Sequence, residues 1–257
     1  MWRSFPALAL CLKVLALHFI ALKKFMTTAS SVGVGRKLCS PRDVIDFWFG
    51  DKALMNDIPA IQERMKCWFG SDESFQAVQH ANVDLVERSF LGLLTKEDEE
   101  WRGMRGKQAR ILLHDQFSRE VFRSSAKAFA GDAIAAELAL EIIHSDDFTS
   151  EFEPIERLFI TLPLMHAESL EKQKLLKDIV PRTLSGVTSP EMMKIVAPVD
   201  FMQSHYDVIA RFGRFPSRNA AMGRTNTEEE EIYLNSPDLP GWAKSQMKRK
   251  EEDKKEI

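Results

Sequence analysis

Glycine-rich phosphate loops, the strand-turn-helix serine elbow of hydrolases and paired-cysteine metal motifs are all missing from this sequence. Three cysteines, Cys11, Cys39 and Cys67, are odd in number and lack both the short spacings of a zinc site and the density of a secreted disulfide scaffold. They read as free thiols. His114–Asp115, His166 with Glu168, and His205 with Asp207 pair a histidine with a carboxylate, but none has the two-histidine i, i+4 spacing of a helical zinc site. Neither a metal nor a cofactor is expected. Runs that alternate polar and apolar β-branched residues are also absent, which argues against half-buried strands.

Acidic residues are missing from the first 42 positions. Of the 35 Lys and Arg residues, six lie in residues 1–38, and the other 29 stand against all 38 Asp and Glu. The acidic remainder argues against a nucleic-acid partner, which calls for a basic domain. The opening MWRSFPALALCLKVLALHFIALKKF is apolar and basic, and the Ser/Thr-rich TTASS follows it, so residues 1–39 read as a targeting or disordered segment. Phe5 to Leu22 could contact a membrane if retained, but Lys13 near its middle costs roughly 2.5 to 3.5 kcal/mol in a span. Mitochondrial-type import is the first expectation for localisation, and a secretory signal or signal-anchor is the second. Translation from Met26 would leave a cytoplasmic protein.

From Ser40 the pattern is helical. Ser40 and Pro41 form a helix start before Val44, Ile45, Phe47 and Trp48, and Gly50 forms a stop. Further helices are expected near 59–69, 71–94, 106–123, 131–145, 154–166, 169–184, 189–212 and 227–235. Pro163 should break or kink the segment around it, because proline lacks the amide donor and clashes with the preceding turn. The expectation is one all-α domain over residues 40–236, with eight to nine helices. Residues 237–257 read as a charged flexible tail. FWFG at 47–50 and CWFG at 67–70 echo each other, and Trp48 and Trp68 read as core aromatics closing short helices.

Two segments could carry chemistry. In RILLHDQFSREVFR, residues 110–123, Asp115, Gln116, Arg119 and Arg123 fall on one helical stripe hemmed by apolar surface, so the arginines need partners or a ligand. The bland alternative pairs Asp115 with Arg119 at i, i+4. RFGRFPSRN, residues 211–219, follows a helix with His205 at the edge of its core stripe. Gly213 ends that helix and Pro216 prevents its continuation. Phe212 and Phe215 should plug into the core and hold Arg211, Arg214 and Arg218 in place to grip a carboxylate or phosphate. Alternatively, those arginines only answer helix-terminal carbonyls and surface acids. His166 and Glu168 could act together only at a helix end, since two positions apart within a helix point to nearly opposite sides.

The segments DVIDFWFG (43–50), WFG (68–70), ILLHDQFSREVFR, AFAGD (128–132), RLFITLPLMHAES and RFGRFPSRNAAMGRTNTEEE together resemble the family called domain of unknown function 924. The resemblance covers about residues 41–236. It implies an all-helical, tetratricopeptide-like stack of antiparallel helix pairs, and brings no activity, substrate or cofactor. Departures fall at Ser118, Glu120, Ala167 and Ser217, where the family pattern has other residues, and at His114, which is therefore no candidate. The residues that match the pattern are Asp115, Gln116, Arg119, Arg123, Asp132, Arg157, His166, Glu168, His205, Arg211, Arg214, Arg218 and Asn219.

The expected site joins the two segments. Arg211, Arg214 and Arg218 would meet Arg119 and Arg123 with Asp115, Gln116 and Asn219 beside them, to bind a small anionic molecule. His166, Glu168 or His205 would handle a proton if there is catalysis. Five arginines repel one another unless Asp115, Asp132 and Glu168 interleave or an anion sits at the centre. The alternative is a helical scaffold that binds an acidic peptide or protein tail without chemistry.

Overall fold

The structure, a computed structural model, describes residues 35–247. The expected targeting segment lies outside the described residues apart from its last five positions, and so do residues 248–257. Eleven α-helices of seven or more residues appear among the described residues, and no strand. Helix α1, Pro41–Phe49, starts as its sequence dictates: Ser40 Oγ accepts from the Asp43 amide at 3.1 Å, and the Asp43 carboxylate accepts from the Ser40 amide at 2.9 Å. Helix α2, Ile58–Phe69, delivers Trp68 onto Trp48 in a stacked pair, so both aromatics close short helices as expected.

The count exceeds the expected eight or nine because two segments divide. The segment expected as one helix over 71–94 becomes α3, Glu73–Ala81, and α4, Val83–Phe90. Asn82, buried between them, leaves helical geometry: its side chain accepts from the Leu38 amide and donates to the carbonyls of Arg36 and Val78, each at 2.8 Å. That bond ties the incoming chain to the domain and buries Leu38. The second division falls at Ala197, which precedes Pro198 and is pushed out of the helical region by it.

The middle of the chain forms α5, Met104–Ile111, which runs into a π-helical turn at Leu112–Phe117, and then α6, Asp132–Ile143. Helix α7, Pro154–His166, is the central element, buried on every side from Ile155 to Met165. Around it pack α5, α6, α8 (Leu170–Thr183), α9 (Pro190–Val196) and α10 (Val199–Phe212). Of the break or kink expected at Pro163, the break does not occur: the helix runs through to His166. The helix is buried all round, and packing against five neighbours outweighs the roughly 3 kcal/mol that an interior proline costs.

Beyond α10 the chain turns at Gly213, which adopts the left-handed conformation with φ 68° and donates its amide to the Ile209 carbonyl. Helix α11, Glu228–Leu234, follows, and then the six-residue α12, Gly241–Gln246. The expectation of a solvated tail from residue 237 is corrected as far as Gln246. Leu239 and Ala243 are buried, and Trp242 stacks on His205 with ring centroids 3.8 Å apart. Among the described residues no helix is long and apolar enough to cross a membrane. Cys39 and Cys67 are free thiols.

Candidate functional site

The π-helical turn carries the most buried acid of the molecule's polar centre. Asp115 has no exposed surface, and its carboxylate accepts from His166 Nδ1 at 2.8 and 2.9 Å and from Gln116 Nε2 at 2.7 Å. Burial alone would raise its pKa. The charge and hydrogen bond of His166, with Arg119 and Gln116, override burial and hold it at about 2. The ionised Asp115 fixes the His166 ring through Nδ1–H and leaves Nε2 to meet another group. His166 closes α7, where its side chain keeps 14% exposure.

The turn is held from outside by Ser118, whose hydroxyl lies within hydrogen-bonding distance of the carbonyls of His114 (2.6 Å) and Ala128 (3.1 Å). A proline at this position would supply no donor. Gly131 closes the same joint. A Cβ there would stand 2.8 Å from the His114 carbonyl oxygen and 2.9 Å from its Cβ, so only glycine lets the start of α6 approach this closely. The approach brings Asp132 into the centre.

Asp132 is the meeting point of the two sequence segments. Arg218 Nη1 donates to Oδ2 at 3.0 Å. Arg119 Nη2 lies 2.8 Å from Oδ1, in ion-pair contact but out of hydrogen-bonding alignment. Both guanidiniums also lie 4.8 Å from the centroid of the Phe129 ring. Arg119 donates Nη1 to the Ala128 carbonyl at 2.7 Å. Arg218 is 2% exposed, and burial first, then Arg119, lowers its pKa to about 10 despite Asp132. Its Nε donates to Gln246 Oε1 at 3.2 Å, and its buried Nη2 has no partner.

Glu168 stands beyond the end of α7 and receives both Nη atoms of Arg224, at 2.7 and 2.9 Å, and the Phe215 amide at 2.8 Å. Burial works against its ionisation, but these bonds and the charge of Arg218 pull its pKa below the usual carboxylate range. His205 is 1% exposed, and burial, the charge of His166 and Arg218 push its pKa down to about 3. Its Nδ1 lies 2.9 Å from the Phe201 carbonyl, which can only accept, so Nδ1 carries the proton. The rings of His166 and His205 lie 6.1 Å apart.

The structure thus brings together Asp115, Gln116, Arg119, Asp132, His166, Glu168, His205 and Arg218. It does not deliver the five-arginine cluster. Arg123 is exposed and pairs with Glu120; Arg211 is exposed and gives Nε to Glu229 at 2.8 Å. Arg214 forms a two-pronged pair with Glu230, at 2.7 and 2.8 Å, and donates to the Thr225 carbonyl. Asn219, fully buried, serves that pair through Glu230 Oε2 at 3.2 Å and also donates to Asn226. Asp115, Asp132 and Glu168 interleave with the remaining arginines, so their mutual repulsion is already relieved. Phe215 is the anchor expected of it, with no exposure, whereas Phe212 is only partly buried. Sequence reasoning missed Arg224, Trp242 and Gln246. Their signal was faint: an arginine amid acids, and an aromatic in a charged tail.

The structure of a protein of unknown function, ATU0120 from Agrobacterium tumefaciens, is similar, with 28% identity and a TM-score of 0.55 over 76% of this chain and 96% of that one. No curated protein matches the chain. A family model described as "Bacterial protein of unknown function (DUF924)" matches residues 44–238, from the middle of α1 to the approach to α12. With most of its length matched, the protein belongs to the DUF924 family.

Proposed function

We propose that the cluster around Asp132 and His166 binds a small anionic molecule, a carboxylate or phosphate, with His166 as its proton-handling group. One observation carries the reading: a buried carboxylate orients a partly exposed imidazole at 2.8 Å in the same cluster as Arg218, whose buried Nη2 is an unused cationic donor. The acids Asp115, Asp132 and Glu168 face Arg119, Arg218 and Arg224, three against three. Neutral His205 adds an imidazole without adding charge.

The alternative is a tetratricopeptide-like scaffold that holds an acidic peptide, and it has less support. Arg211 and Arg214, which such a groove would offer, already hold Glu229 and Glu230. The test is a melting-temperature screen with succinate, citrate and inorganic phosphate, repeated on His166→Gln. At least one anion should raise the wild-type melting temperature, and the shift should shrink in the variant. The reading is sunk if none of the three shifts either the wild type or a variant lacking the Trp242 anchor.

A further inference from the structure

Gln246 presents a neutral carbonyl oxygen to the most buried cation of the site. Its Oε1 lies 3.2 Å from Arg218 Nε and 3.3 Å from Ser217 Oγ, while Arg218 Nη2 remains unpartnered. A carboxamide oxygen placed this way satisfies part of the guanidinium and leaves the second contact of a two-pronged pair unmade. A planar carboxylate would supply two oxygens and full charge to the same group. Arg214 shows the completed arrangement nearby, gripping Glu230 through Nε and Nη2 together.

From this geometry we infer that helix α12 is a displaceable strap, and that Gln246 occupies the position that a ligand's carboxylate takes on Arg218. The inference rests on the anion-site reading and narrows its ligand to a carboxylate. Helix α12 is built to leave. Its six residues are far too few to hold a helix alone, and its start has no side-chain cap. It is held by Ala243, by Trp242 stacked at 3.8 Å on His205 and edge-on to Phe215 at 5.6 Å, and by Trp242 Nε1 donating to Ser204 Oγ at 3.1 Å. Those contacts cover His205 and Arg218 at once, so a single opening uncovers a neutral imidazole and a cationic donor. A ligand that binds only the open state shifts the population toward it, and closure weakens the apparent affinity by the fraction closed.

The strap carries its own reporter, because Lys244 is exposed yet helical, and trypsin cuts after it only when the helix opens. The experiment uses full-length protein with succinate as the probe, reading cleavage after Lys244 together with calorimetric affinity. Succinate should speed that cleavage in the wild type. Trp242→Ala should be cut rapidly without succinate and bind it about tenfold more tightly. Gln246→Ala keeps the tryptophan anchor and removes the competing oxygen, so it should also bind more tightly even if Trp242→Ala folds poorly. Gln246→Glu places the carboxylate on the strap itself and should raise the melting temperature while abolishing succinate binding.

Binding by the two opened variants but not by the wild type would equally support the strap, as a tightly closed one. If the wild type binds succinate while cleavage slows or stays unchanged and neither opened variant gains affinity, the strap is overturned and the anion site stands. If no form binds succinate or citrate while inorganic phosphate still raises the melting temperature, the strap falls and the anion site stands; if phosphate fails as well, both fall.

Discussion

The frame up to Met202 and the cap from His205 to Gln246 are held together by different physics. The frame packs one continuous apolar core in which the Trp48, Phe117 and Phe159 rings touch and α7 is surrounded. The cap gathers only Val208, Ile209 and Phe215, with Phe212, Tyr233 and Trp242 packed partly against them. Arg211–Glu229 and Arg214–Glu230 tie the cap together, while Arg224–Glu168 and Arg218–Asp132 cross to the frame. Dispersion and apolar burial resist pH and salt, whereas ion pairs do not. The candidate site lies on the seam, with Asp115 and His166 set in the rigid half and Arg218 and His205 in the responsive one.

The largest test of that contrast removes one ring from each half. Phe159 is 1% exposed and contacts Trp48, Phe49 and Trp68, so Phe159→Ala should lower global stability by about 3–5 kcal/mol in denaturant titrations. Phe215→Ala removes an equally buried ring and should cost roughly the same 3–5 kcal/mol locally. Hydrogen exchange should then show lost protection in the cap while α7 stays protected. Equal loss across α7 would mean that frame and cap fold as one.

Acid should act on both halves. His114 and His205 fold neutral, because burial pushes each pKa down to about 3, and the unfolded chain protonates both near the ordinary 6.5. Their contribution is complete above about pH 6.5 and drains as pH falls toward 3, on the order of 1 kcal/mol per pH unit for each. His205→Phe should flatten the pH 4–6.5 slope of stability by about half. Asp115 is depressed from 3.8 to about 2, so its part, about 2 kcal/mol, is present above pH 4 and is lost only as pH falls through 2. Asp115→Asn should show that loss already at pH 7. A stability curve flat from pH 7 to 4 would contradict the neutral buried histidines.

Much of the helical pattern, in frame and cap alike, was legible in the sequence because helix starts and stops are local. Ser40 and Pro41 spell a helix start, and Gly213 marks a stop. What stayed hidden was set by distant partners. The break at Asn82 follows from hydrogen bonds to residues 36 and 38, more than forty positions away, and Pro163 survives because five helices crowd it. At the site, periodicity placed Asp115, Arg119 and His166 at plausible positions but could not assign partners. Arg211 and Arg214 looked like ligand grips because a sequence does not show that Glu229 and Glu230 swing back onto them. Trp242 was lost in a charged tail because its partner, His205, lies on another helix.

Arg214 sharpens the contrast at a smaller scale. Were it a free cation crowded by others, Arg214→Ala would leave the melting temperature unchanged or raise it. Its pair with Glu230, which is 2% exposed, reverses the expectation. The hydrogen bond from Arg214 is the chief reason that the Glu230 pKa sits at about 2, so truncation strands a buried carboxylate with only Asn219 and the Thr227 amide. Arg214→Ala should cost about 1–3 kcal/mol, and Arg214→Ala with Glu230→Gln should recover part of it. A double variant no better than the single would show that the pair is not what holds the cap.

Arg211 supplies the smallest effect and the cleanest separation of structure from binding. Its partner Glu229 is exposed, and the pair's side chains keep 49% and 60% of their surface, so solvent screens the attraction. Arg211→Ala should therefore change stability by no more than about 0.5 kcal/mol, and salt should erase even that. Because the guanidinium points to α11 and not to Asp132, succinate affinity should stay at the wild-type value as well. A variant that folds normally but loses succinate would return Arg211 to the ligand's reach. It would then show that the cap rearranges on binding so that Glu229 gives up its arginine, making the charged half of the molecule the half that moves.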